Sequence, residues 1–372
     1  MKNILVVFGG KSVEHDISII TGLGVVTNTS SAYNVIPVYI DKQGNWWTGE
    51  KLKDIQTFKN WDTKGLKPCA ILPNNPSLVV FGKFGRKQTP VFCAVNCLHG
   101  HDGEDGAVQG VFRLSNIPST SPSVVSSAVC MDKTITKQVL NSNKIKTVDY
   151  VCFDQNEYKA HAGELFKKVE AKLGFPCIIK PNSLGSSIGV NVAKNEKEYQ
   201  KYVELALRFD NEVLIEKYLD NARELNIAVW RYNNNLMLSS IEEVKIDNKV
   251  YNFEDKYKSK NIERVVPAKI DEAVFQNINK CATKAYKVLK CCGIVRFDFL
   301  LSNEVLYLNE VNTIPGSLAC YLWKEPKIPY NTLLTKLIEN CVLEFEKEKN
   351  RSFDFESHVL DNLVKDNFKM TK

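Results

Sequence analysis

Several features are missing from this 372-residue chain. It has no run of about 18 apolar residues, which excludes a membrane-spanning helix of the usual kind. Its N-terminus, Met1-Lys2-Asn3-Ile4-Leu5-Val6-Val7, has no long apolar run ending in a small-residue cleavage site. It therefore reads as a first strand rather than a signal peptide. No CxxC pair occurs among the 11 scattered cysteines, an odd number in which Cys291 and Cys292 are adjacent. A disulfide framework and a structural zinc site are thus not expected, and small buried thiols in a reducing cytoplasm are. No internal repeat or low-complexity tract is present. Charge of one sign is also scarce: 49 basic and 43 acidic residues give a net charge of +6, spread along the chain. No basic stripe with interleaved aromatics appears, so nucleic acid is not the expected partner. A mildly basic enzyme of phosphate-bearing substrates fits equally well.

What is present looks like an ordinary globular protein, 44% hydrophobic and 25% charged. The chain is too long for one typical core, so two or three domains are expected. Segments 4–10, 33–40 and 91–100 are apolar without clean alternation, as in strands covered on both faces. They predict a doubly wound α/β domain over 1–121, with a polar, Trp-containing region at 41–90. Its functional loops should lie beyond the carboxyl ends of the strands. A Ser/Pro turn then opens a helix over 121–143, and a β/α/β stretch ends in VLIEKYL (213–219). Strands dominate from 224, with a helix near 271–291 and a charged, helical or frayed tail from about 345. The fold class expected is α/β, turning to α+β in the C-terminal part, with boundaries at 122–219 and 220–372.

The stretch GIVRFDFLLSNEVLYLNEVNTIPGS (293–317) reads as two strand-like runs joined by Ser302-Asn303-Glu304. A three-residue hairpin loop would set Leu301 against Val305, Arg296 against Glu310 and Asp298 against Leu308. Arg296, Asp298, Glu310 and Asn312 would then share one face, and Phe297, Phe299, Tyr307 and Val311 the other. A one-residue slip would part the two acidic side chains. Two carboxylates and an amide oxygen on one rigid surface suit Mg²⁺ with water and phosphate. The neighbouring arginine suits a transferring phosphoryl group. The competing reading is a solvated face with a cross-strand ion pair.

Other stretches add to this. In FPCIIKPNSLGSSIGV (175–190), a strand delivers Lys180 into a Gly/Ser loop whose N–H groups can approach phosphate. It is not a Walker A sequence, because the lysine precedes the glycines. The segment 213–230 joins two strands and is a frequent kind of nucleotide-base site, with Glu224 placed for ribose hydroxyls. GGKSVEHDIS (9–18) is not GxGxxG but sets Glu14 at a strand end, suited to an ammonium. HGHDGEDGAVQG (99–110) ends a strand at His99. A zinc site from His99, His101 and Asp102 finds no second ligand cluster, so a turn closing on substrate is expected there. Lys-rich, aromatic VYNFEDKYKSK (250–260) reads as a lid over phosphates.

Taken together, GGKSVEHDIS, HGHDGEDGAVQG, MDK, IIKPNSLGSSIGV, VLIEKYL, EDKY, RFDF and NEVNTIPGS resemble the D-alanine–D-alanine ligase family of ATP-grasp enzymes, in family order over roughly 1–325. The resemblance implies an N-terminal substrate domain followed by a two-domain ATP-grasp fold. It implies that Lys133, Lys180, Ser186, Ser187 and Lys256 meet ATP phosphates, that Glu216, Lys217 and Leu219 hold adenine, and that Glu224 holds ribose. Asp298, Glu310 and Asn312 would bind two Mg²⁺ or Mn²⁺. Glu14, with Ser186 and Tyr257, would orient the first D-alanine near His99. Arg296 and Gly316 would stabilise the tetrahedral intermediate. Tyr321 and Leu322 fall at the acceptor, where many members carry a His-Ser pair, so D-alanine and D-serine both stay open as acceptors. A less favoured reading is a non-catalytic nucleotide-binding protein. The family further suggests a cytoplasmic homodimer.

Overall fold

The structure is a computed structural model in which residues 1–246, 262–324, 327–352, 355–358 and 360 are described. The expected lid, with Lys256 and Tyr257, lies outside the described residues.

The first sheet contains β1 (Lys2–Gly9), β2 (Tyr33–Ile40), β3 (Trp46–Thr48), β4 (Lys67–Ile71), β5 (Ser77–Gly82), β6 (Gly85–Pro90) and β7 (Cys93–Asn96), in the order β6-β5-β4-β3-β2-β1-β7. Strands β2, β1 and β7 run parallel. The polar 41–90 region is an antiparallel extension of the same sheet, β3 to β6. Residues Ile4 to Phe8 are all fully buried, and successive side chains enter two different cores. That is why the sequence there is apolar without alternation.

Two antiparallel sheets follow. Strands β8 (Tyr150–Asp154), β9 (Cys177–Pro181), β10 (Asn191–Ala193) and β11 (Glu212–Lys217) are ordered β10-β9-β11-β8. Helices Gln155–Leu173 and Glu196–Ala206 seal one face through Val169, Leu173, Tyr199 and Val203. Strands β12 (Arg223–Tyr232), β13 (Asn235–Ile246), β14 (Ile262–Val265), β15 (Ile294–Ser302) and β16 (Val305–Asn312) are ordered β14-β13-β12-β15-β16. Helix Glu272–Val288 covers that sheet with Ile278, Ala282 and Tyr286.

The single helix expected after the Ser/Pro turn is two, Val124–Met131 and Lys133–Ser142. Asp132 between them is extended, and its carboxylate accepts from Ile135 N–H at 2.8 Å. Capping by Asp132 makes Lys133 the first residue of the second helix. The tail begins as helix Tyr330–Lys349, whose Leu333, Leu334, Leu337 and Ile338 share a core with Ile4, Val6 and Phe8 of β1.

The β15–β16 ribbon differs from expectation in register, and for two reasons. The turn has two residues, Asn303 and Glu304, both at positive φ, so Ser302 rather than Leu301 faces Val305. This is the one-residue slip that would part the acids. An irregularity between Asp298 and Phe299 absorbs one more residue, Asn309, and restores the face. Asp298 then pairs directly with Glu310 and Arg296 with Asn312. The core face carries Phe297, Phe299 and Val311 as expected, but Leu306 and Leu308 in place of Tyr307.

Candidate active site

A cavity of about 450 Å³ lies between the two antiparallel sheets. Its lining brings together Lys133, Lys180, Ser187, Glu216, Lys217, Leu219, Glu224, Asp298 and Glu310. The sequence places these over a span from the helix at 133 to the end of β16.

One wall is cationic. Lys180, near the end of β9, reaches Glu216 Oε2 of the neighbouring β11 at 2.6 Å. Lys137, one helical turn beyond Lys133, reaches the other oxygen at 2.5 Å. Glu216 is 2% exposed and Lys137 1%. Burial alone would raise the Glu216 pKa, but the two ammonium groups overcome it and hold the carboxyl at about 2. Sequence reading missed Lys137, because a lone lysine in an amphipathic helix looks like surface. Lys133 Nζ donates to the Leu184 carbonyl at 2.7 Å and stands 3.7 Å from Glu310 Oε1. It thus joins the Gly/Ser loop to the carboxylate face.

The facing wall is set by sheet register. Glu242 pairs with Asn226, Asn226 with Asp298, and Asp298 with Glu310, so four strands place these groups in one row. Arg296 donates from Nε to Asp298 Oδ1 at 2.6 Å and from Nη2 to Asp298 Oδ2 at 2.8 Å, and Asn312 Nδ2 donates to Asp298 Oδ2 at 2.9 Å. Burial works against the Arg296 charge, but Asp298 more than compensates and raises its pKa well above the ordinary value. Asn226 Nδ2 donates to Glu224 and Glu242. Its Oδ1 is buried without a hydrogen-bond partner. An orphaned amide oxygen beside Asp298 and Glu310 makes a hard-oxygen face that fits Mg²⁺ or Mn²⁺ with its bound water.

The third part lies where the first sheet meets the others. Gly9 turns the chain at φ +96, where a Cβ would sit 2.2 Å from the Ile40 carbonyl. Glu14 follows, 8% exposed, and Ser186 of the Gly/Ser loop hydrogen-bonds its Oε1. Gly185 packs so close that an added Cβ would meet Glu14 Oε2 at 2.7 Å. His99 is buried with Nε2 2.9 Å from Thr21 Oγ1. Burial lowers its pKa to about 4, helped by the Arg296 charge, so His99 is neutral. It does not join His101, which is exposed beside Asp102 and Asp105. Thr21 Oγ1 also accepts Ser317 N–H at 3.0 Å, which ties His99 to the loop carrying Gly316.

Glu104, another residue the sequence reading did not single out, spans the same junction. Its Oε2 accepts Gly100 N–H and its Oε1 accepts Ile314 N–H, both at 2.9 Å. Burial, then the Glu14 charge and more weakly that of Glu310, push its pKa up to about 8. The loop after Ile314 is unusual: Ser317, Leu318 and Ala319 all have φ near +50. Tyr321 follows, its hydroxyl donating to Glu242 at 2.9 Å, while Leu322 is fully buried in the core.

Comparison with known proteins agrees along most of the chain. The family described as D-ala D-ala ligase N-terminus matches residues 3–122, and D-ala D-ala ligase C-terminus matches 139–339. A D-alanine–D-alanine ligase of Thermosipho melanesiensis is 40% identical over 95% of this chain and 97% of its own. The solved D-alanine–D-alanine ligase of Coxiella burnetii superposes with a TM-score of 0.81 at 27% identity, covering 94% of this chain and 96% of that one. The VanG D-Ala:D-Ser ligase of Enterococcus faecalis gives 0.79 at 29% identity, over 91% and 99%.

Proposed function

Because the chain belongs to the D-alanine–D-alanine ligase family, we infer that it joins two D-alanines in an ATP-dependent reaction. ADP and phosphate are released, and the dipeptide serves peptidoglycan precursors. The observation that carries this reading is one cavity faced by Lys133, Lys180, Asp298 and Glu310, while Ser186, next to the lining Ser187, hydrogen-bonds Glu14.

A carboxylate is a poor electrophile, so the first D-alanine must become an acyl phosphate before an amine can attack it. Glu14 orients its ammonium, with Ser186, and His99 lies nearby as a neutral group. Lys133 and Lys180 spread charge on the ATP phosphates, and Ser187 adds a hydroxyl donor. Glu216, Lys217 and Leu219 take the adenine side and Glu224 the ribose. Arg296 and the Gly316 N–H meet the tetrahedral oxygen as it forms. Asp298, Glu310 and Asn312 would hold two Mg²⁺ or Mn²⁺, which neutralise phosphate charge when bound. Lys256 and Tyr257 belong to the lid in this reading, which keeps water from the acyl phosphate. We assign first-substrate binding to 1–121 and the clasp on ATP to 122–219 and 220–372. No described helix is long and apolar enough to cross a membrane, and we place the protein in the cytoplasm as a homodimer.

Purified protein given ATP, Mg²⁺ and D-alanine is expected to release phosphate and form the dipeptide. Absence of turnover with every D-amino acid tried overturns the reading. Tyr321 favours one second reading, a D-serine acceptor, and the similarity to a D-Ala:D-Ser ligase supports keeping it. A panel of acceptors read by mass spectrometry separates the two. A purely nucleotide-binding role has less support, because Lys133, Lys180, Asp298 and Glu310 face one cavity.

A further inference from the structure

Helix Tyr330–Lys349 reaches back to the first sheet and touches β7, the strand at one end of it. The two elements meet through a pair of thiols. Cys93 Sγ lies 3.1 Å from Cys341 Sγ, although 248 residues separate them in the chain. Each sulfur also faces a backbone carbonyl, Cys341 that of Ile338 at 3.1 Å and Cys93 that of Ala94 at 3.7 Å. A thiol has one proton. Once each carbonyl takes one, the two sulfurs confront each other with lone pairs alone, and a bond between them removes that opposition.

The two thiols differ in access. Cys93 is fully buried, in the core that holds Ile4, Val6, Phe8, Leu334 and Ile338. Burial, then the hydrogen bond with Cys341, raises its pKa well above the ordinary value, so it stays protonated. Cys341 is part-exposed on the helix. One sulfur can thus meet a reagent from solvent while the other waits behind it. Cys130 and Cys291 also hydrogen-bond each other, but both are buried, and that pair has no exposed sulfur to begin a reaction.

We propose that Cys93 and Cys341 are a modification site, at which a peroxide makes a reversible disulfide that staples helix Tyr330–Lys349 to the first sheet. With hydrogen peroxide, the Cys341 sulfur attacks as thiolate. An S–O bond forms, the O–O bond breaks, and the first water leaves. Cys93 then attacks that sulfur. The S–S bond forms, the S–O bond breaks, and the Cys93 proton leaves with the hydroxide as a second water. The two thiols lose two electrons, and the peroxide takes them. The sulfurs close by about 1 Å to reach the ordinary disulfide length. This chemistry uses no group of the ATP cavity and stands apart from the ligase reading.

The test treats the folded, full-length protein with increasing hydrogen peroxide, caps the remaining thiols, and maps unreduced peptides by mass spectrometry. The expected product is a cross-linked pair of peptides holding Cys93 and Cys341, lighter by two hydrogens than their sum and split by dithiothreitol. The melting temperature should rise by about 5 °C on oxidation, because the closed loop restricts the unfolded chain, and fall back on reduction. Cys341→Ser should lose both responses. If that variant does not fold, the peptide map of the wild type decides. Failure of the cross-link to form, whether Cys341 stays a thiol or runs on to sulfinic acid, overturns the proposal. So does a cross-link from Cys341 to any cysteine other than Cys93.

Discussion

At the residue scale, the groups that were legible in the sequence are those whose neighbours in the chain betray them. Lys180 ends a strand before glycines, and Asp298 and Glu310 interrupt apolar runs, so each is conspicuous. Lys137, Asn226, Glu242 and Glu104 are ordinary in sequence; the burial of the first three and the hydrogen bonds of Glu104 follow from partners elsewhere in the chain. No local pattern encodes that Lys137 lies against Glu216. The residue whose loss should be felt most is Glu310, which is part-exposed beside Lys133 and so can be neutralised without opening the core. Glu310→Gln is expected to lower kcat by more than about 100-fold, beyond the usual cost of an outer-shell change, while the melting temperature holds. A variant keeping most of the wild-type rate would show that the carboxylate face is not where the chemistry is supported.

At the scale of the element, the β15–β16 ribbon shows how a correct face can be read through an incorrect register. Alternation of side chains was visible in sequence, and it has a period of two. The turn type was not, because Ser302-Asn303-Glu304 carries no Gly to announce a two-residue turn. Nor was the bulge, since Asn309 is one polar residue among several. Turn and bulge each shift the pairing by one, and their sum leaves parity unchanged. Deleting Asn309 should therefore turn Glu310 away from Asp298 while the core residues before it stay in place. We expect at least a 100-fold or so loss of turnover, as for other small displacements of reacting groups. Asn309→Ala, which keeps the backbone count, should retain most activity, and steady-state kinetics on the two variants compares them directly. Equal activity in the two would mean that the bulge does not set the face.

For the whole molecule, alternating apolar and helical segments announced an α/β beginning and a strand-rich end, and three sheets are found among the described residues. How the sheets meet was not legible, because it depends on single contacts such as Glu104, which accepts from Gly100 on one side and Ile314 on the other. Its folded pKa, about 8, is above the ordinary 4.5, so the folded state binds the proton more tightly and stability falls as pH rises across that interval. His99 acts the other way: lowered from 6.5 to about 4, it makes stability rise with pH across its own interval. The two oppose each other up to pH 6.5, and above that Glu104 acts alone. The melting temperature of nucleotide-free, metal-free protein should fall between pH 6.5 and 8, and Glu104→Gln should flatten that slope. An unaltered slope in Glu104→Gln would assign it to other groups.

That helix Tyr330–Lys349 completes the same core as β1 has a consequence for how the protein is made. A ribosome emits Ile4, Val6 and Phe8, with Ile19 and Val25 close behind, long before Leu333, Leu334, Leu337 and Ile338, which complete the same core. Throughout the interval the nascent polypeptide carries a sticky, half-clothed surface that invites chaperones or neighbours. A premature stop just ahead of Tyr330 would thus yield an aggregating fragment, not a smaller working enzyme.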